Sequence, residues 1–179
     1  MDNWIYIGMI EEDGHKHIQE AFRDEKSALE WMEGIKSFYE KSLEIDDFNT
    51  GIETWDVLHE YNMNWWAYSE NSPYGVFVFR YRNDLPKDHG CKIYATMSNV
   101  DWDEQPQKIY ATEDEAREWI RQEFLKAKAE DPSSDNESFI WDSGKDSDGL
   151  QWWSCGHAED ILDWTVYELN LKGANENHG

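Results

Sequence analysis

Apolar and polar positions along the chain fall into blocks of two periods, and the blocks recur. Trp4–Ile10 alternates and is rich in β-branched residues, which predicts a strand. Glu11-Glu12-Asp13-Gly14 is a turn with an Asp-Gly signal, and His17–Arg23 returns as the hairpin partner. The period then lengthens. Over Glu25–Lys41, Ala28, Leu29, Trp31, Met32, Ile35, Phe38 and Tyr39 share one helical face, behind Asp24 as N-cap. Asp46–Gly51 breaks the pattern. Ile52–Leu58 and Asn64–Ser69 read as strands joined around Asn62, and Val76–Arg82 is a strand after the turn Ser72-Pro73-Tyr74-Gly75.

The same order follows a second time. Lys92–Ser98 predicts a strand, Asp101–Pro106 an acidic turn and Gln107–Ala111 the return strand. Thr112-Glu113-Asp114-Glu115 is a capping box that opens a helix over Glu113–Glu130, with Ala116, Trp119, Ile120, Phe124 and Ala127 as its apolar stripe. Asp131–Glu137 is loop, Ser138–Ser143 and Leu150–Cys155 form a hairpin around Asp148-Gly149, Gly156–Asp163 holds a helical turn, and Trp164–Leu171 is the last strand.

The recurrence is also one of residues. Asp24–Met32 falls on Thr112–Ile120 at an offset of 88, with Ala28, Glu30 and Trp31 on Ala116, Glu118 and Trp119. Ile5–Met9 falls on Ile93–Met97 and Val76–Phe79 on Trp164–Tyr167 at the same offset, while Trp55-Asp56 meets Trp141-Asp142 at 86 and Trp65-Trp66 meets Trp152-Trp153 at 87. A period this long predicts a duplicated globular unit, not a solenoid. The expected fold is α+β: a tandem duplication of a ββα-plus-antiparallel-strands unit, with one helix packed on each sheet. The units span residues 1–84 and 92–172, joined by the polar linker 85–91 and followed by a disordered tail, 173–179.

Charge changes this picture most. Among 179 residues, 39 acids face 16 bases, a net of -23. The excess is shared: residues 4–84 hold 17 acids and 7 bases (net -10), and residues 92–172 hold 19 and 8 (net -11). Such self-repulsion excludes direct binding to nucleic acid or anionic membranes and points to a partner with a basic surface. A solubility device is the bland alternative; salt adaptation fits poorly with eleven Lys against five Arg and eleven Trp. A 15% aromatic content argues for folded cores. No apolar run reaches the ~18–20 residues of a membrane span and no secretory segment opens the chain, so a cytoplasmic setting is expected.

First-turn acids such as Glu113, Asp114 and Glu118 suit a helix dipole. That role does not cover Asp46, Asp47, Asp101, Asp103, Glu104, Asp142, Asp146, Asp148, Glu159, Asp160 and Asp163, which the pattern puts in loops. Together these acids are the expected partner-binding array, carboxylates standing where phosphates would. One Trp of each Trp-Trp pair is expected in the core and the other outward, with Trp66 and Trp153 as aromatic anchors inside the acidic rim. Core packing is the competing explanation for both. His89, Cys91, Cys155 and His157 could together make a zinc site, but their i,i+2 spacing is poor, and ordinary thiols with no metal or cofactor are expected. Asp146-Ser147-Asp148-Gly149 is a calcium-loop fragment with Cys155 where the bidentate Glu is needed. No nucleotide-binding loop, nucleophile elbow or His-Glu-x-x-His occurs, so no enzyme is expected.

Small size, acidity, aromatic richness and the lack of catalytic motifs resemble phage- and plasmid-encoded inhibitors of host defence, the anti-restriction and anti-CRISPR proteins that mimic DNA. The segments IYATEDEAREWI and WTVYELNL look like the small strand–helix–strand proteins of phage early regions. The resemblance implies a non-enzymatic inhibitor, monomer or homodimer, that occupies the nucleic-acid-binding surface of a host nuclease or defence complex. Two alternatives keep the same composition: an immunity protein neutralising a toxin nuclease, and a Trp-lined module for a small ligand or carbohydrate.

Overall fold

A computed structural model describes residues 4–54, 61–86, 90–100, 103–130, 142–145, 150–157 and 162–173. Its class is α+β. In chain order the elements are β1 (Trp4–Glu12), β2 (His15–Phe22), α1 (Glu25–Ser42), β3 (Phe48–Thr54), β4 (Tyr61–Ser69) and β5 (Gly75–Arg82). There follow β6 (Lys92–Val100), β7 (Asp103–Tyr110), α2 (Glu113–Glu130), β8 (Asp142–Lys145), β9 (Gln151–His157) and β10 (Leu162–Lys172). Two compact units result: Met1–Asp84 with Asn170–Gly179, and Leu85–Leu169.

In the first unit the strand order is β3-β4-β5-β1-β2, each neighbour antiparallel. Asp13 (φ 53) and Gly14 (φ 81) both take the left-handed conformation, which the two-residue β1–β2 turn needs and which Asp-Gly supplies at low cost. Tyr74 Oη donates to Asp13 Oδ1 at 3.2 Å and holds that turn. The end of β10 adds in parallel beside β2, pairing Leu171 with Ala21 and Lys172 with Phe22. Arg23 N donates to Lys172 O at 2.8 Å, and the Lys172 ammonium meets the Glu20 carboxylate. These bonds are why residues 170–172 belong with the first unit although they follow the second in sequence. Gly173 bends there with φ 115.

Helix α1 starts where Asp24, extended at φ -141 and ψ 147, accepts from Ser27 N at 2.8 Å and Ser27 Oγ at 2.9 Å. Ala28 is fully buried in a cluster with Tyr6, Phe22, Trp65 and Val78. One end of the helix packs Tyr39 among Ile10, Ile45 and Val76. Trp31 is half-buried and bridges both clusters. Phe38, expected on the apolar stripe, is 55% exposed, because the stripe turns Tyr39 rather than its neighbour inward.

In the second unit the order is β8-β9-β10-β6-β7. Helix α2 opens on the expected capping box: Thr112 Oγ1 accepts from Glu115 N at 3.3 Å, and Glu115 Oε2 accepts from Thr112 N at 3.2 Å. Ala116, Ile120 and Phe124 join Trp164 and Val166 of β10 in one core, with Trp119 half-buried against it.

Several boundaries differ from the sequence expectation. Asn62, read as the joint between two strands, lies inside β4, β1 runs on to Glu12, and β2 starts at His15. Strand β3 begins at Phe48 inside the stretch read as a break, because an exposed edge strand lacks apolar alternation. Strand β7 begins at Asp103 and runs through Pro106, which an edge strand at the end of the order tolerates. Strand β9 extends to His157 and β10 starts at Leu162, so Gly156, His157, Leu162 and Asp163 are extended and form no helical turn. Strand β8 covers Asp142–Lys145; residues 131–141, the Asp148-Gly149 turn and the Trp55-Asp56 and Trp141 positions lie outside the described residues.

Candidate interaction surface

The β3–β4 hairpin of the first unit lies within a stretch of sequence that has acids and no Lys or Arg. From Ser42 to Phe79 there is no Lys or Arg, while Glu44, Asp46, Asp47, Glu53, Asp56, Glu60 and Glu70 are acidic. Strand β3 ends the strand order, and no described strand pairs with its outer side. Its register against β4 runs from Phe48↔Ser69 to Thr54↔Met63 without a shift. Ile52 pairs with the core residue Trp65 yet is 61% exposed, since beyond it the sheet stops.

Trp66 shows how that edge is built. Its partner is Gly51, and a Cβ placed on Gly51 would lie 2.4 Å from Trp66 Cζ2, so the indole lies flat on the edge-strand backbone. The glycine is needed for this close approach. Trp66 is therefore half-buried, and its indole N–H is shielded with no hydrogen-bond partner among the described residues. The second unit repeats the device with a different Trp from the one singled out in sequence. Trp152 pairs with Gly144, whose Cβ would sit 2.8 Å from Trp152 Cζ2. Trp153 pairs with the core position Val166, and its side chain lies outside the described residues.

The structure assigns the sequence-selected acids to different tasks. Asp46 is exposed, but Asp47 is a loop tie. Asp47 accepts from Ser69 Oγ at 2.6 Å, Asn71 N at 2.9 Å and Asn71 Nδ2 at 2.5 Å. The Ser69 hydroxyl, the largest effect, holds its carboxyl below the usual range; desolvation, next in size, opposes this, and the Asn71 donors add to the lowering. Glu113 is ion-paired with Arg117 at 2.9 Å. Asp114 and Glu118 are exposed on α2, with Glu118 accepting from Gln122 Nε2 at 2.6 Å. Asp142 is exposed on β8 and accepts from Ser143 N at 2.8 Å.

Asp103, Glu104, Asp142 and Asp163 were expected in loops and lie on strands. Asp163 accepts from Asn99 Nδ2 at 3.3 Å, and Asn99 pairs with Glu104 across β6–β7. Burial pushes the Asp163 carboxyl up, the Asn99 amide opposes this, and the nearby Glu104 charge adds to it. This Asn99–Asp163–Glu104 group was not legible in sequence, because its members are 64 and 5 residues from Asn99 and share no motif. Asp101, Asp146, Asp148, Glu159, Asp160 and His89 lie outside the described residues, as do the side chains of Asp103, Cys155 and His157. Cys91 is exposed. Among the described residues no group of three or more His, Cys, Asp or Glu side chains is arranged to hold a metal, and no helix is long and apolar enough to cross a membrane.

Fold and surface together define an acidic α+β protein of two compact units. No family model, curated protein or solved structure matches the chain.

Proposed function

We propose that the chain is a non-enzymatic inhibitor that presents carboxylates to the basic nucleic-acid-binding surface of a nuclease or defence complex. The observation that carries this reading is the run from Ser42 to Phe79 without Lys or Arg, in which Glu44, Asp46, Glu53 and Glu70 are exposed. On the second unit, by itself, Asp114, Glu118 and Asp142 are exposed. Exposed acids in such numbers repel one another, and a cationic partner relieves that repulsion on contact.

We also read the two units as copies of one ββαβββ ancestor. Both run the same element order, and their strand orders correspond strand for strand. Asp24 and Thr112 cap the helices at the 88-residue offset, Ala28 and Ala116 are both fully buried, and Trp66 on Gly51 has its counterpart in Trp152 on Gly144. Trp31 and Trp119, matched at the 88-residue offset, are both half-buried against their cores.

The test is affinity capture from a bacterial lysate with washes of rising salt, followed by assay of each retained protein for DNA or RNA binding. The chain should compete with nucleic acid, and competition should weaken steeply with salt. An Asp46→Lys/Glu53→Lys variant should associate more slowly, by about tenfold if both acids face one basic groove. Inhibition that ignores salt and survives this reversal, and the matching one at Asp114 and Glu118, sinks the proposal.

A further inference from the structure

We infer that the free edge of β3 is a strand-addition site for an extended, Lys/Arg-bearing segment of a partner protein. This deepens the reading above and rests on it for the sign of the partner's charge.

Sheet edges are defended in most proteins by shortness, proline, lysine or a bulge, because an open edge pairs with any extended chain. The other described edges here follow that rule. Strand β7 carries Pro106 and Lys108, and its pairing with β6 shifts register between Ala95 and Met97. Strand β8 has four described residues and ends in Lys145. Strand β2 is closed at Ala21 and Phe22 by the end of β10 and bears Lys16 further along. Strand β3 has no proline, lysine or bulge, and its one charged side chain is the acid Glu53. It is seven residues long and unshifted against β4.

Its two faces specify what would fit. Phe48 lies on the helix side, packed against the Tyr39 cluster, so the period of two puts Thr50, Ile52 and Thr54 on that side as well. An added strand meets a β-branched row there, with Ile52 61% exposed. The other side carries Asn49, Gly51 and Glu53. Asn49 Nδ2 donates to Glu70 Oε1 at 2.7 Å, which holds a second carboxylate on that side. Asn49 and Glu53 are four residues apart, about 13 Å along a strand. The complementary segment therefore alternates, with β-branched residues toward Ile52 and Lys or Arg four apart toward Glu53 and Glu70. A second copy of this chain fits less well, because it would bring its own Glu53 and a net charge of -23 to the same edge.

The probe is a capped, fluorescein-labelled seven-residue peptide of alternating Lys and Val, with the full chain titrated in by anisotropy. A peptide of the same sequence with every backbone amide methylated has the same charge and cannot form the ladder. Binding of the plain peptide should fall about tenfold or more on methylation, since main-chain hydrogen bonds carry strand addition. Ile52→Lys and Thr50→Lys should each weaken it similarly, and Asp114→Lys/Glu118→Lys should leave it within about threefold. Ile52 and Thr50 are exposed, so both variants are expected to fold, and circular dichroism checks this. Equal binding of the two peptides overturns edge addition while leaving the acidic-surface reading intact. Failure of the plain peptide to bind at about millimolar chain overturns it as well. A dimer in sedimentation that Ile52→Lys dissolves would show that the occupant is a second copy, against this assignment.

Discussion

Replacing Gly8 with Ala sets two opposed effects against each other at the contact between β1 and α1. A Cβ at Gly8 would lie 2.6 Å from Trp31 Cζ3 and 2.7 Å from Cη2. Carbon atoms prefer about 3.5–4.0 Å, so ring and strand must part by roughly 1 Å. The ring has little room to retreat, since it is tilted against Phe22 at 5.8 Å between centroids and packs into both clusters under α1. Overpacking of this kind costs about 1–3 kcal/mol. Against it stands about 0.5–1 kcal/mol gained by removing glycine's excess freedom from the unfolded chain. The net expectation is a loss of about 0.5–2 kcal/mol. In a Trp31→Leu background the clash is gone and only the entropic gain remains, so Gly8→Ala should become neutral or stabilising there. Urea unfolding followed by far-ultraviolet circular dichroism, on the four chains of this cycle, reads the sign directly. A stabilised Gly8→Ala single variant, or equal costs in both backgrounds, would refute the packing argument.

Two further predictions concern the second unit. Burial makes the folded chain hold the Asp163 proton more tightly than the unfolded chain, so the ionised carboxylate is a burden at neutral pH that lifts as pH falls through its raised pKa. Asp163→Asn should therefore be more stable than the parent at pH 7, with the difference closing on acidification through the carboxylate range; urea midpoints that differ equally at every pH would contradict this. Thr112→Ala removes the capping-box hydroxyl that accepts from Glu115 N, and should cost about 1 kcal/mol in thermal or urea unfolding. A loss confined to a few tenths would mean that the helix start is held by α2 packing instead.

What sequence reading could reach depended on whether a residue's neighbours in space were also its neighbours in pattern. The helices were legible because their caps and stripes are local: Asp24 with Ser27, Thr112 with Glu115, Ala28 and Ala116 one turn further in. Central strands were legible from their apolar content, as in Val76–Phe79. The start of the edge strand β3 was not, since Asn49 and Thr50 look like loop residues when nothing covers them, although Ile52–Thr54 read as strand. Gly51 was the available signal, a glycine in a polar run facing a Trp-Trp pair, but its meaning depends on the register that brings Trp66 over it. The acids were counted correctly and placed too uniformly. Whether a carboxylate caps, ties a loop, pairs with Arg or stands exposed is decided by partners such as Ser69 for Asp47 and Asn99 for Asp163, 22 and 64 residues away.

Nearly equal net charge in the two halves conceals an uneven distribution of bases along the sequence. Helix α1 carries Lys26, Lys36 and Lys41, and α2 carries Arg117, Arg121, Lys126 and Lys128, seven of the sixteen bases. They sit one turn from acids, as Lys36 does from Glu33 and Glu40, and Lys126 from Glu123. Such exposed pairs contribute little to stability, about 0–1 kcal/mol each, but they cancel charge at short range. A partner more than a Debye length away, roughly 8 Å at physiological salt, senses mainly what is left uncancelled. On the first unit Asp46, Glu53 and Glu70 are exposed and have no Lys or Arg neighbour in sequence between Lys41 and Arg80. Reversing Asp46 and Glu53 should accordingly slow association more than reversing Asp114 and Glu118, although each change adds the same formal charge. On the proposed function the acidic surface acts where its bases are missing, and β3 lies within that stretch of sequence.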